Sequence, residues 1–147
     1  MSLELFPSAE PSEALRWCRA FPGEAAQAAA VRRFVAMLLD GCAVLDDVLL
    51  SVDELVVNAL RHTKSGRLGG TFTVELRREA GTVAVAVRDQ GGPTEPAATE
   101  ADEFAESGRG LRTVSALAAR WGWFGNDRSR TVAAFFDEAT AHWPEAA

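Results

Sequence analysis

Cysteine is scarce in this chain of 147 residues: there are two, Cys18 and Cys42. Neither lies in a CxxC pair or a Cys/His cluster, which excludes the usual zinc sites, and buried, reduced thiols are the expected state. Basic residues are in deficit, 15 against 21 acidic ones, for a net charge of −6. A surface of that sign is ill suited to nucleic acid or an anionic membrane, since both select basic patches. The first residues lack the basic stretch and apolar run of a secretion signal. No apolar run approaches the ~20 residues of a membrane span. The chain reads as cytoplasmic, with no nucleic acid and no membrane among its expected partners. Two phosphate-binding signatures are also missing. There is no GxxxxGK[ST] run, which excludes a P-loop, and no GxGxxG following a strand, which argues against a dinucleotide-binding fold.

What is present suits one soluble domain. Hydrophobic residues make up 48% and charged residues 24%, and a chain of this length buries roughly 70% of its unfolded surface in a single core. Residues 1–13 carry two prolines and little periodicity, so a flexible N-terminal arm is expected, followed by one domain over 14–147. Leu15 to Phe21 predicts a strand ended by Pro22-Gly23. From Glu24 apolar residues recur at spacings of three and four, and Gly41 is a natural stop, which predicts a helix. A second helix is predicted from about Val44 to Thr63. Thr71 to Arg78 and Thr82 to Arg88 alternate apolar and polar residues around Glu79-Ala80-Gly81, the pattern of a hairpin. Residues 92–107 are rich in Gly, Pro, Ala and acid, and a connection this long is often a functional lid. Gly110 to Ala119 predicts a third helix. Arg120 to Phe124 and Arg130 to Phe136 predict two strands, with Gly125-Asn126 as the turn. The sum is an α+β two-layer sandwich: a mixed, mostly antiparallel sheet with helices on one face. The four tryptophans, Trp17, Trp121, Trp123 and Trp143, are expected in core or edge packing.

The second helix carries the densest chemistry. At about 100° per residue, with Glu54 set at zero, Asp47, Asn58, Ser51 and His62 fall within about 80° on one side, and Arg61 lies about 20° on the other. Val48, Val52, Val56 and Ala59 form an opposed apolar stripe. A charged column is usually a solvated face. Here it holds Asn58, a poor mid-helix residue, and it brings a carboxylate, a neutral oxygen ligand and a cation within three turns. Magnesium takes few protein oxygens together with substrate phosphates. Two glycine elements follow. Asp89-Gln90-Gly91-Gly92 ends the hairpin in a sharp turn that lets another group approach the backbone. Gly108-Arg109-Gly110-Leu111 stands at a predicted helix start, where unpaired amides and the helix dipole attract anions. Each element alone is weak; their order is the informative feature.

That order resembles the histidine-kinase-like (GHKL, or Bergerat-fold) ATPases, and among them the short anti-sigma-factor serine kinases of actinobacterial form. The likeness runs from about Arg16 to Phe136. Glu54-Leu-Val-Val-Asn58-Ala-Leu-Arg-His62 is similar to the N box, Asp89-Gln-Gly91 to the first glycine box, and Gly108-Arg-Gly110-Leu111 to the second. The resemblance implies ATP and Mg²⁺ as cofactors, with Asn58 on the metal and Glu54 as general base or as the group that orients the attacking hydroxyl. It implies that Asp89 accepts from the adenine amino group, that Gly91 gives the base room, and that Thr131 supports Asp89 and the adenine. It implies that Gly108, Arg109, Gly110 and Leu111 offer amides to the phosphates, that Arg61 and His62 flank the nucleotide, and that 92–107 is the ATP lid. The implied activity is transfer of the ATP γ-phosphate to a serine of a STAS-type anti-anti-sigma partner. The same surface would hold a sigma factor inactive. Related kinases often pair, so the resemblance admits a homodimer. A non-catalytic nucleotide-binding module acting by sequestration is the alternative. No phospho-acceptor histidine helix is present, and neither His62 nor His142 replaces it.

Overall fold

A computed structural model describes residues 15–93 and 106–140. The expected arm, the lid from 94 to 105, His142 and Trp143 lie outside them. Within them, chain order is β1 (Leu15–Pro22), α1 (Gln27–Leu38), α2 (Leu45–His62), a single 3-10 turn (Lys64–Gly66), β2 (Thr71–Glu79), β3 (Thr82–Asp89), α3 (Glu106–Leu117), β4 (Arg120–Gly125) and β5 (Arg130–Asp137). The sheet order is β1-β2-β3-β5-β4, and all four pairings are antiparallel.

The period-two pattern settles which face the helices cover. Phe72, Val74 and Leu76 of β2, Val83, Val85 and Val87 of β3, and Val132, Ala134 and Phe136 of β5 are all buried, while the residues between them are not. Alternate side chains point to opposite faces of a sheet, so these nine share the inner face. Over them lie Val31 and Val35 of α1, Val48, Val52, Leu55, Val56 and Ala59 of α2, and Leu111 and Val114 of α3. The result is the two-layer α+β sandwich expected. The β2–β3 turn places Ala80 and Gly81 at φ 54° and 80°, the left-handed pair that a tight two-residue hairpin requires. At the β4–β5 turn the Asn126 side-chain oxygen accepts from the amides of Arg128 (2.8 Å) and Ser129 (3.2 Å).

Two expectations are corrected. Helix α3 opens at Glu106, four residues ahead of Gly110, so its glycines lie within the first turns rather than before them. Cys42 is buried but Cys18 is exposed, because it alternates with inward-facing Phe21 on the edge strand β1 and points away from the helices. The described tryptophans fit core or edge packing: Trp121 and Trp123 pack against the core, and Trp17, 40% exposed, lies on the edge strand β1.

Candidate functional site

Helix α2 is buried over a wider arc than its apolar stripe. Asn58, at 6% exposure, and Ser51, at 0%, are both buried, although each sits in the polar column. Helix α3 packs along α2, and the buried arc of α2 extends into the column. Glu54, Asp47 and His62 are left half-buried at its edge, and Arg61 is exposed. Burial pushes the Glu54 carboxyl above its usual range; the neighbouring Asp53 charge adds to this and Arg61 opposes it. Burial, aided by the Arg61 charge, lowers His62, so its imidazole is neutral near pH 7. The buried Nε2 of His62 and Oγ of Ser51 have no hydrogen-bond partner among the described residues, and a buried polar group left without one costs about 1–3 kcal/mol.

The carboxyl end of α2 is tied to the first glycine element. The Lys64 amide donates to the Gly91 carbonyl at 2.8 Å. The Gln90 amide donates to the Ser65 hydroxyl at 2.9 Å, and the Gln90 side chain accepts from the Thr71 amide at 2.9 Å. Thr63 locks the corner by donating to the Ala59 carbonyl (2.6 Å) and accepting from the Ser65 amide (3.0 Å). Asp89 is thereby held beside the last turn of α2. Its carboxylate, 3% exposed, accepts from the Gly91 amide at 2.7 Å. Burial raises Asp89, while the Gly91 amide and then the Arg130 charge pull it down.

Gly91 has a more local reason to be glycine than room for a ligand. Its φ is +77°, and a Cβ there would stand 2.3 Å from the Asp127 carbonyl oxygen. The turn of β3 packs directly on the turn of β5, and only a residue without a side chain fits between them.

The structure does not bring Thr131 to Asp89. In register, Asp89 faces Arg130 and Arg88 faces Thr131. Val132 is buried on the inner face, so Arg130 shares that face and Thr131 has the opposite one. There Thr131 lines two shallow grooves of about 220 and 230 Å³ on the uncovered side of the sheet, with Glu75, Ala86 and Phe124. The inner position belongs to Arg130, 3% exposed, with Nε 3.9 Å from Asp89 Oδ1. Counting back by two from Val132 along β5 would have found it.

The second glycine element lies within α3. Helix α3 opens at Glu106, so Gly108 lies in its first turn, where amides lack intrahelical partners, and Arg109, Gly110 and Leu111 follow it along the helix. The Leu111 side chain is wholly in the core. Glu54, Asn58 and His62 run along one side of α2, and the residues just after that helix are bonded to the turn that follows Asp89.

No three His, Cys, Asp or Glu among the described residues form a group that could hold a metal ion. One buried amide oxygen beside one carboxylate fits a magnesium ion that keeps water and phosphate ligands. In none of the described residues is there a helix long and apolar enough to cross a membrane.

Among curated proteins, no relative matches in sequence. The chain is similar in structure to the crystal structure of the RsbU and RsbW domains of Rv1364c from Mycobacterium tuberculosis, with a TM-score of 0.61 at 18% identity. That likeness covers 82% of this chain and 32% of the other, so this chain spans about a third of its neighbour's length. It shows the shared fold. The family described as the histidine kinase-like ATPase domain matches residues 21–134, which include all three helices, both glycine elements and strands β2 to β4. The chain belongs to the histidine kinase-like ATPase domain family.

Proposed function

We propose that this chain is an ATP-dependent protein serine/threonine kinase of the anti-sigma-factor type, acting on a serine of a STAS-type anti-anti-sigma partner and thereby regulating a sigma factor. The observation that carries the reading is buried Asn58, one helical turn from half-buried Glu54, with buried Asp89 ending the strand whose turn is bonded to the residues just after the same helix. Family membership supports ATP as the nucleotide, and the RsbW domain in the structural neighbour makes partner-switching chemistry the natural candidate.

In this reading Asp89 accepts from the adenine amino group, and Asn58 supplies the protein oxygen to Mg²⁺. Arg61 and His62 flank the nucleotide, and the amides of Gly108 and Arg109 meet the phosphates. When bound, the metal neutralises phosphate charge. Glu54 orients the serine hydroxyl and takes its proton as the serine oxygen bonds to the γ-phosphorus. The bond from that phosphorus to the bridging oxygen breaks, and ADP leaves. Such transfers depend mainly on positioning and charge stabilisation. The raised Glu54 carboxyl is a stronger base than an ordinary carboxylate and serves this role better.

The test is incubation with labelled ATP, Mg²⁺ and candidate STAS partners. Phosphoserine on a partner, lost in Glu54→Ala while ATP binding persists, is the expected result. Calorimetric ATP binding with no transfer to any partner would replace the kinase with a non-catalytic module that works by sequestration.

A further inference from the structure

We infer that Arg130 is a positioning residue that sets the base preference of the nucleotide site, by holding Asp89 as a charged, acceptor-only group. The inference rests on the reading of Asp89 as the residue that meets the base. It concerns a side chain to which neither the motifs nor the resemblance gives a role.

The geometry is specific. Arg130 lies directly across from Asp89 in the β3–β5 register, so the sheet itself sets their separation. Both side chains are almost wholly buried, at 3% and 2% exposure. The guanidinium lies against Gly92: a Cβ built there would stand 3.2 Å from an Arg130 terminal nitrogen. The Arg130 Nε is 3.9 Å from Asp89 Oδ1, inside ion-pair range but beyond hydrogen-bond distance. At that atom Arg130 therefore acts through its charge, and the bonded donor is the Gly91 amide. The other charged or titratable groups on the surrounding described elements are His62 and Lys64 at the end of α2, Asp127 and Arg128 in the β4–β5 turn, and Arg88 on the outer face. Burial and then the Arg61 charge lower His62 and so disfavour its charged form, and Lys64, Asp127, Arg128 and Arg88 are exposed to solvent, where water and salt screen them. Arg130 acts from a dry position, where the interaction is strong.

The chemical consequence follows from donors and acceptors. An ionised carboxylate only accepts. It suits the exocyclic amino group of adenine and opposes the 6-keto oxygen of hypoxanthine or guanine, which also only accepts. A protonated carboxyl could donate to that keto oxygen, and the discrimination would weaken. Burial favours the protonated form; the Gly91 amide and then the Arg130 charge oppose it, and Arg130 is the opposing side chain, the one a substitution can remove.

The experiment measures ATP and ITP affinity by calorimetry between pH 6 and pH 8; the two nucleotides share ribose and triphosphate and differ at the base. The wild-type protein is expected to favour ATP by at least tenfold, with a ratio that stays flat over this range. In Arg130→Met the ratio is expected to fall at least tenfold and to fall further toward pH 6, and Arg130→Lys is expected to restore most of it. Far-UV circular dichroism establishes that each variant is folded. A folded Arg130→Met with the wild-type ratio at every pH overturns the inference. So does a wild-type ratio that declines steadily from pH 8 to pH 6, a result that needs no variant. If instead the wild-type protein does not distinguish ATP from ITP and Asp89→Asn binds ATP unchanged, the reading of Asp89 fails and takes the inference with it.

Discussion

Glu54 stands half-buried beside Asp53, in a setting that disfavours its charged form. A folded-state carboxyl raised in this way stays protonated to higher pH than a free glutamate, and a protonated base cannot take a proton. Phosphotransfer should therefore fall on acidification with its acid limb above the ordinary carboxylate range, as read from the pH profile of kcat/KM. Arg61 is the charge that opposes this shift, so Arg61→Ala should move the limb higher still. Replacement of Glu54 by Gln should cut the transfer rate at least about a hundredfold and leave ATP affinity within a few-fold, in single-turnover and calorimetric measurements. The glutamate and asparagine of α2 were legible because a helix converts spacing into a shared side. Arg130 was not, because a strand exchanges faces at every residue. A one-position difference, Thr131 against Arg130, moves a side chain from one side of the protein to the other.

At the scale of elements, two junctions carry the site. One joins β1, α1 and β2, where Phe21 stacks on Phe72 with ring centroids 5.5 Å apart and meets Phe34 edge-on at 6.1 Å. Phe72 is 1% exposed, so Phe72→Ala should cost about 3–5 kcal/mol in urea unfolding. The other junction is the contact between the Gly91 turn and the Asp127–Arg128 backbone. Gly91→Ala combines a left-handed φ with a backbone collision, so it should both lower the melting temperature and weaken ATP binding. A local substitution at Gly41, with open space around it, should affect only stability. The helices α1 and α2 and the β2–β3 hairpin were predictable because apolar period and turn chemistry agree there. The start of α3 was obscured because its first turns are rich in glycine, a residue that ordinarily marks a helix boundary. The outward turn of Cys18 was hidden for another reason: an edge strand on a half-covered sheet gives no signal of which side will stay open.

Across the whole molecule, the end of the sheet remote from Asp89 is closed by an ion pair. Arg78 donates to both carboxylate oxygens of Glu138, at 2.8 and 3.1 Å. The Glu138 amide also donates to the Gly81 carbonyl at 2.8 Å, which ties the exit of β5 to the β2–β3 turn. The Arg78 bond holds the Glu138 carboxyl below its usual range, against the effect of burial. With a folded-state value below the unfolded one, this pair stabilises the protein above the ordinary glutamate range. The stabilisation is lost as pH falls through the depressed folded-state value. Because both side chains are partly exposed, its contribution is at most about 1 kcal/mol. Glu138→Gln should lower the melting temperature slightly at pH 7 and make no difference in strong acid, with nucleotide affinity unchanged at the other end of the sheet.

The neighbouring placement of β3 and β5 has a consequence for the order in which the protein is made. Asp89 finds its opposite number in Arg130, yet everything from Gln90 to Ser129 must leave the ribosome before the two can meet. A nascent chain halted after β3 already owns its hairpin and both early helices but has no finished cleft for a nucleotide. The two faces of the Asp89–Arg130 corner come together only once β5 has been made and has paired with β3.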